Sequence, residues 1–201
     1  KHAEAGVDVL VAAGVEAGGH CGEIATIVLV PEVLETIKDY PDMHVLAAGG
    51  ISTGRQMAAC MAMGASGVWC GSVWLTTSEA ETTPTVKEKM LKATSANTVR
   101  SRSRTGKPTR QLQSAWSDAW SSKDAPEPLD MPLQGILSRP AMVKVDKLAE
   151  GGHDGAKEVA AYFVGQTVGL MNEEKSCRTV VYEFMEDYAE AVERLSNTVA
   201  E

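Results

Sequence analysis

The stretch DVLVAAGVEAGGHCG, residues 8–22, decides the fold of this chain of 201 residues. It opens with an apolar run of strand length, Asp8 to Ala13, and continues into a glycine-rich turn that contains His20. An apolar run that does not alternate with polar residues is typical of a strand buried on both faces of a parallel sheet. The stretch therefore predicts a buried strand that ends in a turn at the carboxyl edge of such a sheet.

Two later stretches repeat this arrangement. The run His44–Ala48 is followed by Gly49-Gly50, and the run Gly67–Cys70 is followed by Gly71-Ser72. Strand, turn, helix and strand at this spacing form the βα pattern of an α/β fold. We expect the three strands to be adjacent and parallel, in sequence order. The helices predicted between them cover Pro31–Lys38, where a proline is tolerated at the first position, and Gly54–Met63.

The pattern changes after Trp74. Most of the remaining chain predicts helices without strands between them, apart from an extended basic segment over Asn97–Arg110 and an irregular crossing over Ser121–Pro140. The predicted helices are Thr85–Ala96, Leu112–Trp120, Gly155–Asn172 and Cys177–Ala200. We therefore divide the chain into βα units at residues 1–84 and a helical and irregular region at residues 85–201 that packs on or over them.

Charge and composition exclude several classes of function. The net charge of −8 argues against a nucleic-acid partner, which requires a basic face. One basic cluster interrupts this acidity, and we interpret it as a solvated surface loop. It consists of Arg100, Arg102, Arg104, Lys107 and Arg110.

Cysteine spacing and hydropathy place the chain in a broad class. The four cysteines show no CxxC spacing, so we predict no metal site, and we expect reduced thiols in a cytoplasmic protein. The longest apolar stretch, Ile24–Val30, is much shorter than a membrane span, so we expect no membrane association.

The candidate chemistry lies in the turns after the three strands. Active sites of (β/α)8 barrels lie at the carboxyl ends of the strands, and their phosphate sites typically follow the last two strands. Exposed backbone N–H groups at Gly50 and Gly71 suit a phosphate, and His20 is a side chain that exchanges protons near neutral pH. A histidine that only hydrogen-bonds its own loop remains the alternative for His20.

These segments resemble the motifs of the nitronate monooxygenase (2-nitropropane dioxygenase) family. Residues 11–22 resemble VAQGxEAGGHxG, residues 47–55 resemble AAGGIxxGR, and residues 64–72 resemble GAxGVQxGT. The resemblance implies the C-terminal part of an FMN-binding (β/α)8 TIM barrel with a helical C-terminal appendage. It also implies oxidation of alkyl nitronates by O2 to a carbonyl compound and nitrite, with a small-molecule substrate.

The resemblance assigns roles to individual residues. His20 matches the active-site histidine, which acts as a base on a substrate carbon or binds the nitro group. The matches to cofactor-binding positions are Gly18, Gly19, Gly49, Gly50, Trp69, Cys70, Gly71 and Ser72. Two departures stand beside these matches: Ala13 and Trp69 occupy positions where the family usually has glutamine, which removes two side-chain amides from the flavin site.

Other functions and a larger assembly also follow as expectations. A flavin-dependent enoyl-acyl-carrier-protein reductase has a similar barrel and histidine loop, and a non-catalytic flavin- or phosphate-binding module is a third alternative. Three strands are fewer than the eight of a closed barrel, so we expect an N-terminal barrel segment as a partner. A homo-oligomer is a further expectation.

Overall fold

The computed structural model describes residues 1–200 and combines short strands with seven α-helices in that range. The strands are β1 (Val9–Ala13), β2 (Gly19–His20), β3 (His44–Ala48), β4 (Gly67–Trp69), β5 (Thr98–Ser101) and β6 (Thr109–Leu112). The helices are α1 (Thr26–Thr36), α2 (Gly54–Ala62), α3 (Pro84–Lys92), α4 (Ala115–Trp120), α5 (Leu133–Glu150), α6 (Asp154–Val159) and α7 (Cys177–Ala200). Short 3-10 helices cover Ser72–Thr76, Ser95–Asn97 and Gln166–Leu170. No helix in this range is both long and apolar enough to cross a membrane.

The three predicted strands form one parallel sheet in the order β1-β3-β4, as expected. Its register aligns Ala12 with Ala47 and Ala47 with Val68. Within residues 1–200 this sheet does not close into a barrel, so the (β/α)8 prediction is confirmed only as an open α/β segment.

Only one face of the parallel sheet is fully covered. Helices α1 and α2 pack on its outer face, where Val30, Val45 and Ala47 are buried. The opposite face is bare: Val9 and Val11 are 44% and 45% exposed. Because strand residues alternate between faces, these side chains point to the side that would become a barrel interior.

Helix α1 begins five residues before the predicted start, so Pro31 lies inside the helix and not at its first turn. A distant carboxylate explains the earlier start. Both Glu16 carboxylate oxygens accept hydrogen bonds from the Thr26 backbone N–H, and one also accepts from its hydroxyl at 2.9 Å. The Glu16 carboxylate thus accepts from an N–H group at the start of α1 that has no acceptor within the helix. The sequence around α1 gives no sign of this contact.

The segment predicted as extended and basic is a β-hairpin, and the prediction that the C-terminal region lacks strands is wrong. Strands β5 and β6 pair antiparallel, and β6 also pairs with β2 of the histidine loop. All four residues of β6 are buried, although three are polar (Thr109, Arg110 and Gln111). A buried polar strand gives no hydrophobic alternation, which is the signal that the sequence prediction depends on.

Several helix boundaries also differ from the predictions. The prediction for Thr85–Ala96 ran too far, because Ala93 is extended. Leu112 belongs to β6, and α4 begins only at Ala115, after a capping box at Ser114. Helix α5 occupies eight of the 20 residues predicted as irregular, from 133 to 140.

The predicted helix Gly155–Asn172 is two short helices separated by a non-helical crossing. The crossing is fixed by tertiary contacts: the carbonyl of Tyr162 accepts from the N–H of Leu112, and Gly165 lies against the loop before β2. His153 caps α6, because its Nδ1 accepts from the Ala156 N–H at 3.2 Å. The prediction for Cys177–Ala200 is confirmed by α7.

Helix α7 packs against α2 on the outer side of the sheet, although the division at residue 84 assigns the two helices to different regions. The backbone N–H and the Nε of Arg55 both donate to the Asp187 carboxylate at 2.6 Å. These bonds hold the pKa of Asp187 below its usual value. The ion pair therefore stabilises the folded protein at pH values above the pKa of Asp187 in the unfolded chain. This stabilisation is lost as pH falls through the lowered pKa of Asp187 in the folded protein.

Gly54 sits where α2 touches α7, and we predict that Gly54→Ala destabilises the protein. An added Cβ would overlap the Phe184 carbonyl and the Tyr188 backbone nitrogen, which a side-chain rotation cannot relieve. Overpacking of this kind costs about 1–3 kcal/mol or more. The matched control is Gly135→Ala in α5, where a Cβ meets no atom within 4 Å and helix propensity adds up to about 1 kcal/mol. Urea unfolding measures both variants, and equal midpoints would contradict the close packing of α2 on α7.

Candidate functional site

A cavity of about 350 Å³ lies at the carboxyl edge of the parallel sheet. It brings together almost every site residue predicted from the sequence, from all three strand-terminal turns. The predicted residues that line it are Gly18, His20, Gly49, Gly50, Trp69, Cys70, Gly71 and Ser72. Gly19 is not among the lining residues; its φ of +76° turns the backbone next to His20.

His20 is held by the β-hairpin and not by its own loop alone. It lies in β2, opposite Thr109 of β6, and its side chain is exposed. The imidazole Nε2 lies 2.9 Å from the Thr105 hydroxyl in the loop that joins β5 to β6. The side chain therefore stands at the cavity wall with one nitrogen bonded to the protein.

The loop that carries His20 is fixed at two other points. Arg110 is buried, and its Nε donates to the Val15 carbonyl at 2.9 Å while its Nη1 donates to the Thr98 hydroxyl at 3.0 Å. On the other side, an added Cβ on Gly18 would lie 2.7 Å from the Gly165 backbone nitrogen, so only glycine fits there. These contacts place the His20 loop between the hairpin and the segment after α6.

The basic cluster is only partly the solvated loop that we predicted. Arg110 is buried in β6. Arg104 stacks over the Phe163 ring, 5.1 Å from its centroid, and burial lowers the pKa of its guanidinium. Of Arg104, Lys107 and Arg110, only Lys107 is exposed. The arginines thus anchor the hairpin against the cavity, because guanidinium groups stack on rings and bond to carbonyl groups at the same time.

The two glycine turns present backbone N–H groups to the cavity. Gly50 has a φ of +73°, a conformation that glycine adopts readily and other residues rarely do. The N–H groups of Gly50 and Gly71 have no acceptor within the described part of the chain. At Gly71 an added Cβ would meet no atom within 4 Å, so space beside this turn is open. The Ser72 hydroxyl accepts from the Gly165 N–H at 2.8 Å, which leaves its own proton free to donate.

The cavity carries no fixed charge of its own. Among the described residues that line it there is no Asp, Glu, Lys or Arg. Burial raises the pKa of the Cys70 thiol to about 11, so this group stays neutral at physiological pH. An anionic phosphate would therefore meet N–H donors without an opposing negative charge.

We predict that Cys70 resists alkylation at neutral pH. With a pKa of about 11, only about one thiol in a thousand is ionised at pH 8, and the thiolate is the reactive form. The rate of iodoacetamide labelling at Cys70 should rise about tenfold per pH unit up to pH 11, as followed by mass spectrometry of the peptide. A labelling rate that levels off below pH 9 would contradict the buried environment of this thiol.

The two departures from the family pattern lie in one row across the bare face of the sheet. Ala13 is aligned with Ala48, and Ala48 with Trp69. Trp69 is 61% exposed and lines the cavity beside the two alanines. The Trp69 ring thus lies where the related family usually has a side-chain amide. The polar contacts of this cavity wall must therefore come from backbone groups.

Three site residues were missed by the sequence predictions: Thr105, Phe163 and Thr167. Phe163 and Thr167 line the cavity from the segment after α6, and the Thr167 hydroxyl bonds to Ser52 after β3. No spacing signal identifies them, because each reaches the cavity through a contact between distant parts of the chain. Thr105 reaches His20 only through the β5–β6 hairpin.

Comparison with known sequences gives one family and several relatives. The sequence model of the family described as nitronate monooxygenase matches residues 1–187. A protein of Mycobacterium tuberculosis, provisionally named a monooxygenase, is 55% identical over 201 residues, which cover 99% of this chain and 52% of that protein. A protein of Staphylococcus saprophyticus, provisionally named a nitronate monooxygenase, is 34% identical over 67% of this chain and 39% of its own length. The chain spans about half the length, or less, of these curated relatives.

Two solved structures are similar to this chain over most of its length. Nitroalkane oxidase of Streptomyces ansochromogenes superposes with a TM-score of 0.81 at 29% identity, covering 96% of this chain and 55% of that one. FabK of Thermotoga maritima superposes with a TM-score of 0.77 at 30% identity, covering 98% of this chain and 59% of that one. In both cases the matched part is a little more than half of the larger structure.

Proposed function

Because the chain belongs to the nitronate monooxygenase family of flavin oxidoreductases, we propose that it forms the His20-bearing, phosphate-binding part of an FMN-dependent enzyme. This enzyme oxidises alkyl nitronates with O2 to a carbonyl compound and nitrite. The observation that carries the proposal is the single cavity shared by His20 and the glycine turns at Gly50 and Gly71. The remaining wall of the site comes from a preceding barrel segment, which is the proposed partner of this chain.

The residues present fit FMN. The unpaired N–H groups of Gly50 and Gly71 and the Ser72 hydroxyl suit the phosphate, and the neutral Cys70 does not repel it. Gly18, held against Gly165, leaves a flat backbone surface at the cavity wall. When bound, FMN supplies the acceptor for the substrate electrons and their transfer to oxygen.

The open space beside Gly71 gives a test of the phosphate site, and we predict that Gly71→Val weakens FMN binding at least about tenfold. Gly71 has a negative φ of −110°, so it does not need the left-handed conformation that favours glycine, and no protein atom lies within 4 Å of an added Cβ. The folded protein should therefore tolerate the substitution, while the bound phosphate should not. The matched control is Gly22→Val, another glycine in open space. Flavin fluorescence titration measures both variants in the joined protein that is defined below, and equal affinities would remove Gly71 from the phosphate site.

The chain's own residues then act on the substrate. His20 takes a proton from the carbon of a neutral nitroalkane, or donates a hydrogen bond to the nitro group of a substrate that is already ionised. Trp69 and Phe163 form apolar walls that exclude water from one side of the cavity. General-base catalysis of this kind typically contributes about 10²–10⁴-fold to a rate.

The likeness to FabK supports a second candidate, an enoyl-thioester reductase of the same barrel type. The two candidates differ in the direction of electron flow: a reductase takes electrons from NAD(P)H, whereas a nitronate oxidase passes them to O2. A third candidate is a module that binds flavin without turnover, which the replacement of both glutamines by Ala13 and Trp69 supports.

Substrate tests separate these candidates. We define the joined protein as residues 1–201 joined to the part of the Mycobacterium tuberculosis relative that the chain does not cover. Nitrite release and oxygen uptake with alkyl nitronates are the expected result. NAD(P)H oxidation that depends on an enoyl thioester would favour the reductase. Bound flavin with neither reaction would favour the module, and gel filtration of the same sample tests the proposed homo-oligomer.

A further inference from the structure

We propose that Thr105 is a positioning residue that fixes the protonation of His20, so that Nε2 carries the hydrogen and Nδ1 is the atom that takes the substrate proton. This inference rests on the proposed function, because it names the atom of His20 that acts there. It starts from the 2.9 Å contact between the His20 Nε2 and the Thr105 hydroxyl.

The other bonds of the Thr105 hydroxyl decide the direction of that contact. The hydroxyl has one hydrogen to donate, and its oxygen lies 3.1 Å from the Lys107 carbonyl oxygen. A carbonyl group only accepts, so we assign the hydroxyl hydrogen to this contact and not to His20. It accepts from the Lys107 N–H at 3.3 Å, and one lone pair remains for His20. The His20 Nε2 must therefore be the donor, which places the lone pair of a neutral imidazole on Nδ1.

The loop that carries Thr105 is held by four hydrogen bonds, which keep this partner beside His20. Two bonds between residues 102 and 106 close the loop: the Gly106 N–H donates to the Arg102 carbonyl at 2.8 Å, and the Arg102 Nε donates to the Gly106 carbonyl at 2.9 Å. Helix α5 holds the neighbouring carbonyl groups through Gln134 and Ser138, at 2.8 and 2.5 Å. Because these hydrogen bonds hold the loop, Thr105 keeps the imidazole of His20 in one orientation.

The proton transfer follows directly. The C–H bond of a neutral nitroalkane breaks, its electron pair stays on the substrate as the nitronate, and the proton goes to Nδ1 of His20. The imidazolium that forms donates through Nε2–H to the Thr105 hydroxyl, whose own hydrogen points to the Lys107 carbonyl. Hydrogen bonds to a charged donor are stronger than those to a neutral one, so the chain of bonds tightens as charge develops.

The test combines a structural and a kinetic readout on the FMN-loaded joined protein. Ring-¹⁵N-labelled histidine reports which nitrogen carries hydrogen, and the His20→Asn spectrum assigns the signals. We expect Nε2–H in the unsubstituted protein and a mixture of both forms in Thr105→Val. The rate with neutral nitroalkane should fall about 10- to 100-fold in that variant, and turnover of preformed nitronate should fall much less. Thr105→Ser should restore both readouts.

The matched control is Thr36→Val, which removes a similar hydroxyl contact, to the Glu32 carbonyl at 2.7 Å in α1. An Nδ1–H signal in the unsubstituted protein, or an unchanged signal and rate in Thr105→Val, would overturn the assignment. If Thr105→Val does not fold, the unsubstituted protein and Thr105→Ser still decide which nitrogen of His20 carries the hydrogen. Absence of turnover with any nitronate, with Nε2–H retained, would contradict the proposed function and not the protonation of His20.

Discussion

Replacing His20 by Asn should slow proton abstraction from a neutral nitroalkane by about 10²–10⁴-fold while flavin binding is retained. The expectation follows from the position of the imidazole. It lies at the cavity wall, in β2, and it is held by the Thr105 hydroxyl and not by any group that would hold the flavin. Asparagine keeps a hydrogen-bond donor for Thr105 but has no basic nitrogen. Stopped-flow reduction of the flavin in the joined protein, under anaerobic conditions, measures the rate.

A preformed nitronate provides the control for this prediction. It has already lost the proton that His20 removes, so its oxidation should fall much less than that of the neutral nitroalkane. Equal losses with both substrates would show that His20 binds the substrate and does not act as a base. A variant without flavin would show that His20 is structural, and an unchanged nitroalkane rate would remove it from the mechanism.

Residues 1–201 expressed alone should be poorly soluble and should not retain FMN. The parallel sheet ends at β1 and β4, and unpaired strand edges invite pairing with other chains. Its bare face exposes Val9, Val11 and Trp69. Helix α7 adds a second apolar stripe of Val181, Met185, Val192 and Leu195, each at least 40% exposed. Contiguous exposed apolar surface of this kind marks an interface or promotes aggregation.

Gel filtration of the chain alone, beside the joined protein, checks this expectation. The joined protein should elute as a defined species because the added strands cover a sheet edge and the bare face of the sheet. A monodisperse yellow monomer from residues 1–201 would contradict the prediction.

The part of the fold that the sequence predicted is the part specified by local patterns. Residues 9–13 and 45–48 are apolar throughout and are followed directly by glycines, and both segments form strands of the predicted sheet. The hairpin was missed because β6 buries polar residues that bond to distant groups, as Arg110 does with Val15 across 95 positions of sequence. The start of α1 was missed for the same reason, because Glu16 stabilises it from another loop.

The candidate site could be predicted from the sequence because it, too, depends on local patterns. In a parallel sheet the turns after successive strands meet at one edge, so His20, Gly50 and Gly71 come together whenever their strands are adjacent. Thr105 reaches the same place through the β5–β6 hairpin, 85 positions away from His20. No spacing rule connects those two residues, and only the paired strands bring them within 2.9 Å.

The visible absorption spectrum of the purified joined protein shows whether the turns at Gly18, Gly50 and Gly71 form an FMN site once the preceding strands are supplied. We expect a flavin spectrum with about one FMN released per chain on denaturation, and bleaching of that spectrum when an alkyl nitronate is added without oxygen. A folded, monodisperse joined protein that is colourless and takes up no added FMN would contradict it.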